Sequence, residues 1–397
     1  MRVPVIRGGG DTSTAEIQLD LGARFDPGKP TVIVVEDGQQ FYVHPGSMKA
    51  LQADLFGPGV NVVGIIPRGV TAAFLDAAIE PWGQTNWRRA WAIFNSEEWI
   101  ADIEAVRQSL VGARGQVDLY GRSGGAYLVH QYLAEHPTAV RRAFTQSAVD
   151  PALNRELHIP LDDYFTNIVA SDSGLGAMLL ASLPKSGESR LRALLTLQRQ
   201  HFYVPADSLH RAQRELVAAL ATADSAALGR FERDYEVGQI LTLERSREGI
   251  PQNVRVLELL YPSGAFGSRR PGNLYPLLES QAVFIAPLLD LVASGAIAVP
   301  VRDARQAHRV TADVFVLAAY NDEAVDYRTS IALANQYQSH VLFIANDNHV
   351  FAAMDRAGVR APLVRKFLDG GPNSAAFREA RARAAPMEWG ADRTPAG

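Results

Sequence analysis

The chain has 397 residues, 47% of them hydrophobic and 21% charged, with a formal net charge of −4. This is the balance of a globular protein with a large buried core, and it lacks the bulk positive field that draws in nucleic acid or an anionic membrane. There is no cysteine, which excludes disulfides, thiolate catalysis and cysteine-held metals. No His-Glu-x-x-His or comparable cluster occurs, so neither a metal nor another cofactor is expected. The expected partner is a small-molecule substrate.

The first 22 residues carry no apolar core of roughly 7–15 residues behind a basic start, which predicts no signal peptide and a cytoplasmic location. No run of ~18 apolar residues predicts a membrane span. Residues 14–22 alternate apolar and polar, as an antiparallel strand with one wet face does. Thr31 to Gly38 is a β-branched run closed by Asp37-Gly38, and Asn61 to Gly69 repeats the form. Both read as strands buried on two faces. A helix follows, with Asn95 as N-cap, Glu98 three residues on, and Trp99, Ile103, Val106 and Leu110 along one face. Then come a buried strand ending at Gly121, a helix from about Gly124 to Glu135, and a short strand from Arg141 to Ala148.

From about Pro151 to Gln306 the pattern is helical. Buried strands return at Thr311 to Asp322 and Ser339 to His349, followed by one covering helix and an Arg/Ala-rich tail with a last helix. Strand, helix and strand in alternation predict an α/β doubly wound, mostly parallel sheet. A large helical cap is inserted: core over 1–150, cap over 151–306, core again over 307–397.

Gly121-Arg122-Ser123-Gly124-Gly125 fits G-x-S-x-G between a buried strand and a helix. That is the setting of a nucleophile elbow, where the serine takes a strained backbone and small residues two before and two after avoid clashes. A serine hydroxyl needs a base, and the base needs an orienting acid. Asp322 and His349 each follow a later strand, in the order this architecture requires. Asp326 and Asp347 are nearby rivals for the acid, and Asp150 a more distant one. One oxyanion donor is expected from the backbone N–H of Gly124. The other is expected from Gln39, with Gln40 as rival, after the Asp37-Gly38 turn. Gln40 could also give a side-chain hydrogen bond to substrate. Arg122 either meets a substrate carboxylate or sits in a structural pair. His130 reads as a packing residue, the cluster Trp82, Trp87, Trp91 and Trp99 as packing or else pocket lining, and Glu232 to Glu236 as a solvated helix face or else a site for a substrate amine.

These residues resemble the α/β-hydrolase fold superfamily over roughly residues 14–150 and 307–370. Within it, Arg68-Gly69 after a strand, the helix from Ser96, and Leu119-Tyr120-Gly121-x-Ser123-x-Gly125 are similar to the proline iminopeptidase and tripeptidyl-aminopeptidase branch. The resemblance implies a Ser-Asp-His hydrolase with a helical cap over its pocket. Two positions depart from that branch: Glu36-Asp37-Gly38-Gln39-Gln40 stands where it carries His-Gly-Gly-Pro-Gly, and Gly124 where it carries a bulky aromatic. The expected function is a serine hydrolase cleaving an ester, lactone, thioester or amide through an acyl-enzyme. Acyl transfer, C–C cleavage or lyase chemistry on the same fold is the first alternative. A non-catalytic small-molecule binder is the second.

Overall fold

The computed structural model describes residues 1–37, 42–267, 269–270, 272–301, 309–322 and 324–390. The strands are β1 (Arg2–Gly8), β2 (Asp11–Leu21), β3 (Thr31–Val35), β4 (Asn61–Ile65), β5 (Val117–Arg122), β6 (Val140–Gln146), β7 (Asp313–Ala319) and β8 (His340–Ala345). They form an 8-stranded sheet in the order β1-β2-β4-β3-β5-β6-β7-β8. β1 pairs antiparallel with β2, and β2 with β4; every pairing from β4 through β8 is parallel. This is the α/β-hydrolase fold with a helical insertion between β6 and β7.

The β-branched strands are buried on both faces because helices cover both faces. Ile33 and Val35 join one hydrophobic cluster while Val32 and Val34, pointing the other way, join a second. β1 is an edge strand that the alternation of Val3 and Val5, buried, with Arg2, Pro4 and Ile6, exposed, records in a short stretch. The parallel pair β7 and β8 needs a crossover, supplied by the helix Tyr327–Ala334. The single covering helix expected after His349 is instead two, Ala352–Arg356 and Arg360–Gly370. Gly358, at φ 66°, takes the left-handed turn that separates them. Asn95 caps its helix through Glu97 N at 2.9 Å. Glu98 does not close a capping box; it pairs with Arg68 at 3.2 Å.

Described residues 151–301 contain helices and no strand, from Pro151–Glu156 to Ala286–Ala293. A separate apolar cluster built on Phe165, Leu179, Leu195, Val217 and Leu241 holds much of this insertion together. The expected boundary at 306 lies outside the described residues. No single helix among those described is long and apolar enough to cross a membrane.

Arg68-Gly69 is where the insertion meets the core. The Arg68 guanidinium is buried and forks onto Asp102 at 2.5 and 2.7 Å, and also donates to the carbonyls of Ile6, Arg7 and Ile93. Burial raises the Asp102 carboxyl to about 6, with Arg68 pulling it the other way. A Cβ on Gly69 would run into the ring of Pro251, so the insertion helix Ile250–Leu260 seats against bare backbone.

Candidate active site

In a doubly wound sheet the crevice opens beyond the carboxyl ends of the strands, where the strand order reverses. Here that point is β3, flanked by β4 and β5. Beyond the strand ends lie Glu36 and Asp37 after β3, Ser123 after β5, Ser147 after β6, Asp322 after β7 and His349 after β8. The scattered sequence candidates are thus gathered by topology, not by local structure.

Ser123 stands at φ 50°, ψ −121°, directly before the helix Gly124–Glu135. Such a backbone costs of order 1–3 kcal/mol and persists only where the surroundings impose it. The surroundings here are a glycine frame. A Cβ on Gly121 would come within 2.7 Å of the Gly125 carbonyl and 2.8 Å of Val129, and one on Gly125 would strike the Val35 carbonyl. The Ser123 N–H continues the ladder, donating to the Gln146 carbonyl at 2.9 Å. Gly124 is required for another reason: a Cβ there would sit on the Asp37 carboxylate. Asp37 and Gly124 are therefore one feature, since the Asp37 carboxyl group fills the space that a side chain at 124 would need.

His349 Nδ1 donates to Asp322 Oδ2 at 2.8 Å. Asp322 is buried and accepts three further hydrogen bonds, from Ser147 Oγ at 2.6 Å and from the N–H groups of Ala324 and Val325 at 3.0 and 2.9 Å. Its rivals are engaged elsewhere. Asp326 pairs with Arg328, Asp347 accepts from the Asn348 and Met354 N–H groups, and Asp150 caps the helix Pro151–Glu156. The Phe202 ring stands edge-on to His349 at 5.0 Å between centroids. No hydrogen bond joins Ser123 Oγ to His349; such bonds commonly tighten only with substrate bound.

Ser123, His349, Arg122, Glu36 and Asp37 line one cavity of about 390 Å³ whose far side is made by the insertion, including Phe202, Ile240, Val256 and Leu260. Arg122 lies over the Tyr42 ring at 5.0 Å. Burial, with Glu36 next in effect, raises the Tyr42 hydroxyl well above its usual range, so it stays a donor, to the Val35 carbonyl. Gln39 and Gln40 lie outside the described residues. Of the other sequence candidates, His130 is buried between Tyr337 and Thr145, and burial lowers its imidazole to about 3. Trp99 is in the core, while Trp82 is exposed. Glu232 pairs with Arg192 on a partly buried face, and Glu236 reaches the cavity.

Sequence reading placed Asp37 near the oxyanion hole but missed its contact with Gly124, and it missed Ser147 and Glu244, Gln252 and Gln281 of the insertion. Ser147, at φ 48°, was one of several serines; its place directly after the last residue of a buried strand was the available signal.

No family model matches the chain, and no curated protein matches it. Solved structures that resemble it include an esterase from Exiguobacterium antarcticum (12% identity, TM-score 0.46, covering 93% of this chain and 100% of that one). An enol-lactonase from Burkholderia xenovorans matches at 12% identity and TM-score 0.45 (89% and 96%). An esterase from a Rhodococcus species matches at 14% identity and TM-score 0.44 (93% and 98%).

Proposed function

We propose that the chain is a serine hydrolase in which Ser123 attacks an acyl carbonyl bound in the cavity beneath the cap. The observation that carries this reading is the Asp322–His349 hydrogen bond at 2.8 Å beside a serine held at φ 50° on the same cavity. Asp322 accepts a hydrogen bond from Nδ1–H and so holds the proton on Nδ1, which leaves Nε2 as the acceptor for the Ser123 proton. His349 then passes that proton to the leaving group. Asp322 stabilises the imidazolium with a carboxylate that four donors already hold in place. The N-terminus of the elbow helix points its dipole at the carbonyl oxygen, and the Gly124 N–H is the oxyanion donor in this reading.

The substrate is a small to medium ester, lactone, thioester or amide, enclosed by mostly apolar cap side chains. Likeness to the iminopeptidase branch keeps aminoacyl amides in this set. A second reading, acyl transfer, C–C cleavage or lyase chemistry on the same residues, is favoured by Asp37. The Asp37 side chain packs against Gly124 beside the nucleophile, an acidic group that hydrolysis through Ser123, His349 and Asp322 does not use.

The test is a panel of p-nitrophenyl esters and thioesters with wild type and Ser123→Ala, with and without an added alcohol or amine. A burst of product, loss in the variant and water as sole acceptor support hydrolysis. A product carrying the added nucleophile moves the assignment to acyl transfer. No turnover of any ester by folded protein contradicts both.

A further inference from the structure

The cap side of the cavity carries three polar side chains that the reaction at Ser123 does not use. Glu244, on the helix Val237–Arg245, Gln252, on Ile250–Leu260, and Gln281, on Pro276–Phe284, all line it. They are only 4%, 6% and 5% exposed. Gln252 Nε2 donates to Glu244 Oε1 at 2.5 Å. Beyond that bond, Glu244 Oε2, Gln252 Oε1 and Gln281 Oε1 have no hydrogen-bond partner. Buried polar atoms are nearly always paired. Three side chains from three helices line one cavity, and each carries a buried oxygen without a partner, the kind of polar group a ligand subsite needs.

Their chemistry selects the ligand group. Burial raises the Glu244 carboxyl to about 8, against the pull of Arg199, so it is neutral at pH 7. Oε1 is the acceptor from Gln252, which leaves the proton on Oε2. The cap end then offers one O–H donor and two amide oxygens. A primary carboxamide is the complement: one carbonyl oxygen to accept and two N–H groups to donate. An ammonium has no acceptor for the O–H. A carboxylate has no donor for either glutamine.

We propose that Glu244, Gln252 and Gln281 form a subsite for a neutral primary carboxamide carried by the substrate. This deepens the hydrolase reading by naming a substrate class, and it rests on that reading only for the word substrate. Arg245, beside Glu244 on its own helix, pairs with Glu188, and Glu279, on the helix of Gln281, pairs with Arg190. Arg199, on the helix Gly187–Tyr203, acts on Glu244 directly and donates to the Tyr235 carbonyl. On the helix of Gln252, Arg255 pairs with Glu258. Glu232 pairs with Arg192, and Arg247 with Asp76. Glu236 accepts from Tyr203. On the core side the cavity faces Glu36, Asp37, Arg122 and His349.

The test is calorimetric binding to folded Ser123→Ala protein of hexanamide, methyl pentyl ketone, hexylammonium and hexanoate, at about pH 6.5 and about pH 9.5, either side of the Glu244 titration. The expected result is hexanamide bound about tenfold or more tighter than the ketone, weakened at the higher pH. Gln281→Leu should erase the preference. Glu244→Gln should keep hexanamide binding and remove its pH dependence, because an amide N–H replaces the carboxyl O–H. Hexylammonium binding more tightly than hexanamide, or an amide preference untouched by Gln281→Leu, overturns the proposal. Binding as expected without turnover of any ester leaves the subsite standing and the hydrolase reading fallen. Ester turnover without amide discrimination does the reverse.

Discussion

Two buried carboxyl groups lie in opposite conditions, one behind His349 at the core end of the cavity and one on its cap wall. Asp322, at the core end, accepts four hydrogen bonds from His349, Ser147, Ala324 and Val325. Glu244, at the cap end, accepts one, from Gln252, and has an oxygen with none. Donors aimed at a carboxylate favour its charged form, whereas burial without them favours the neutral one. An unpaired buried polar atom costs about 1–3 kcal/mol. The carboxyl group at the core end is fully hydrogen-bonded by the protein, and the one at the cap end keeps an unpaired oxygen.

The contrast is broken most severely at Asp322. Asp322→Asn should lower kcat by about 10⁴-fold, because the imidazole loses the partner that fixes its tautomer and its cation. Steady-state kinetics on any ester that wild type turns over reads this directly, and a loss under tenfold would remove Asp322 from the site. Gly124→Ala should destabilise the fold by about 1–3 kcal/mol through overpacking against Asp37, and Gly124→Ala with Asp37→Gly should recover most of it. Denaturant midpoints of the two singles and the double give the coupling, and simple additivity would contradict the shared-space account. Ser147→Ala removes one donor from Asp322. We expect roughly a tenfold fall in kcat with little change in KM, from the loss of one charge-assisted bond.

The smallest effect is at Glu244. Its folded carboxyl titrates at about 8, above the ordinary value of 4.5, so the folded state holds the proton more tightly. Stability from this group is full below about pH 4.5 and is lost as pH rises toward about 8. Glu244→Gln should raise the melting temperature by roughly a few degrees at pH 8 and change it little at pH 5. An equal shift at both pH values would mean that the carboxyl is already charged in the folded protein.

Much of the core end was legible in the sequence, because it depends on local pattern and chain order. Strand, G-x-S-x-G and helix gave the elbow at Ser123. The positions just past β7 and β8 gave Asp322 and His349. β1 lies at the sheet edge and buries only alternate residues, and the helix before β8 showed no marked period, so neither stood out. The link between Asp37 and Gly124 could not be read, because it is a steric contact between residues 87 positions apart that the strand order β3-β5 brings together. The cap end was beyond reach for the same reason. Glu244, Gln252 and Gln281 look like ordinary polar positions on helices until three helices turn them inward.

The most direct measurement is the rate at which a fluorophosphonate labels the wild-type protein, with the modified residue located by mass spectrometry. The account predicts labelling at Ser123, absent in Ser123→Ala and slowed by orders of magnitude in His349→Ala. Folded wild-type protein left unlabelled, or labelled at the same rate when His349 is gone, would contradict an activated nucleophile at the elbow.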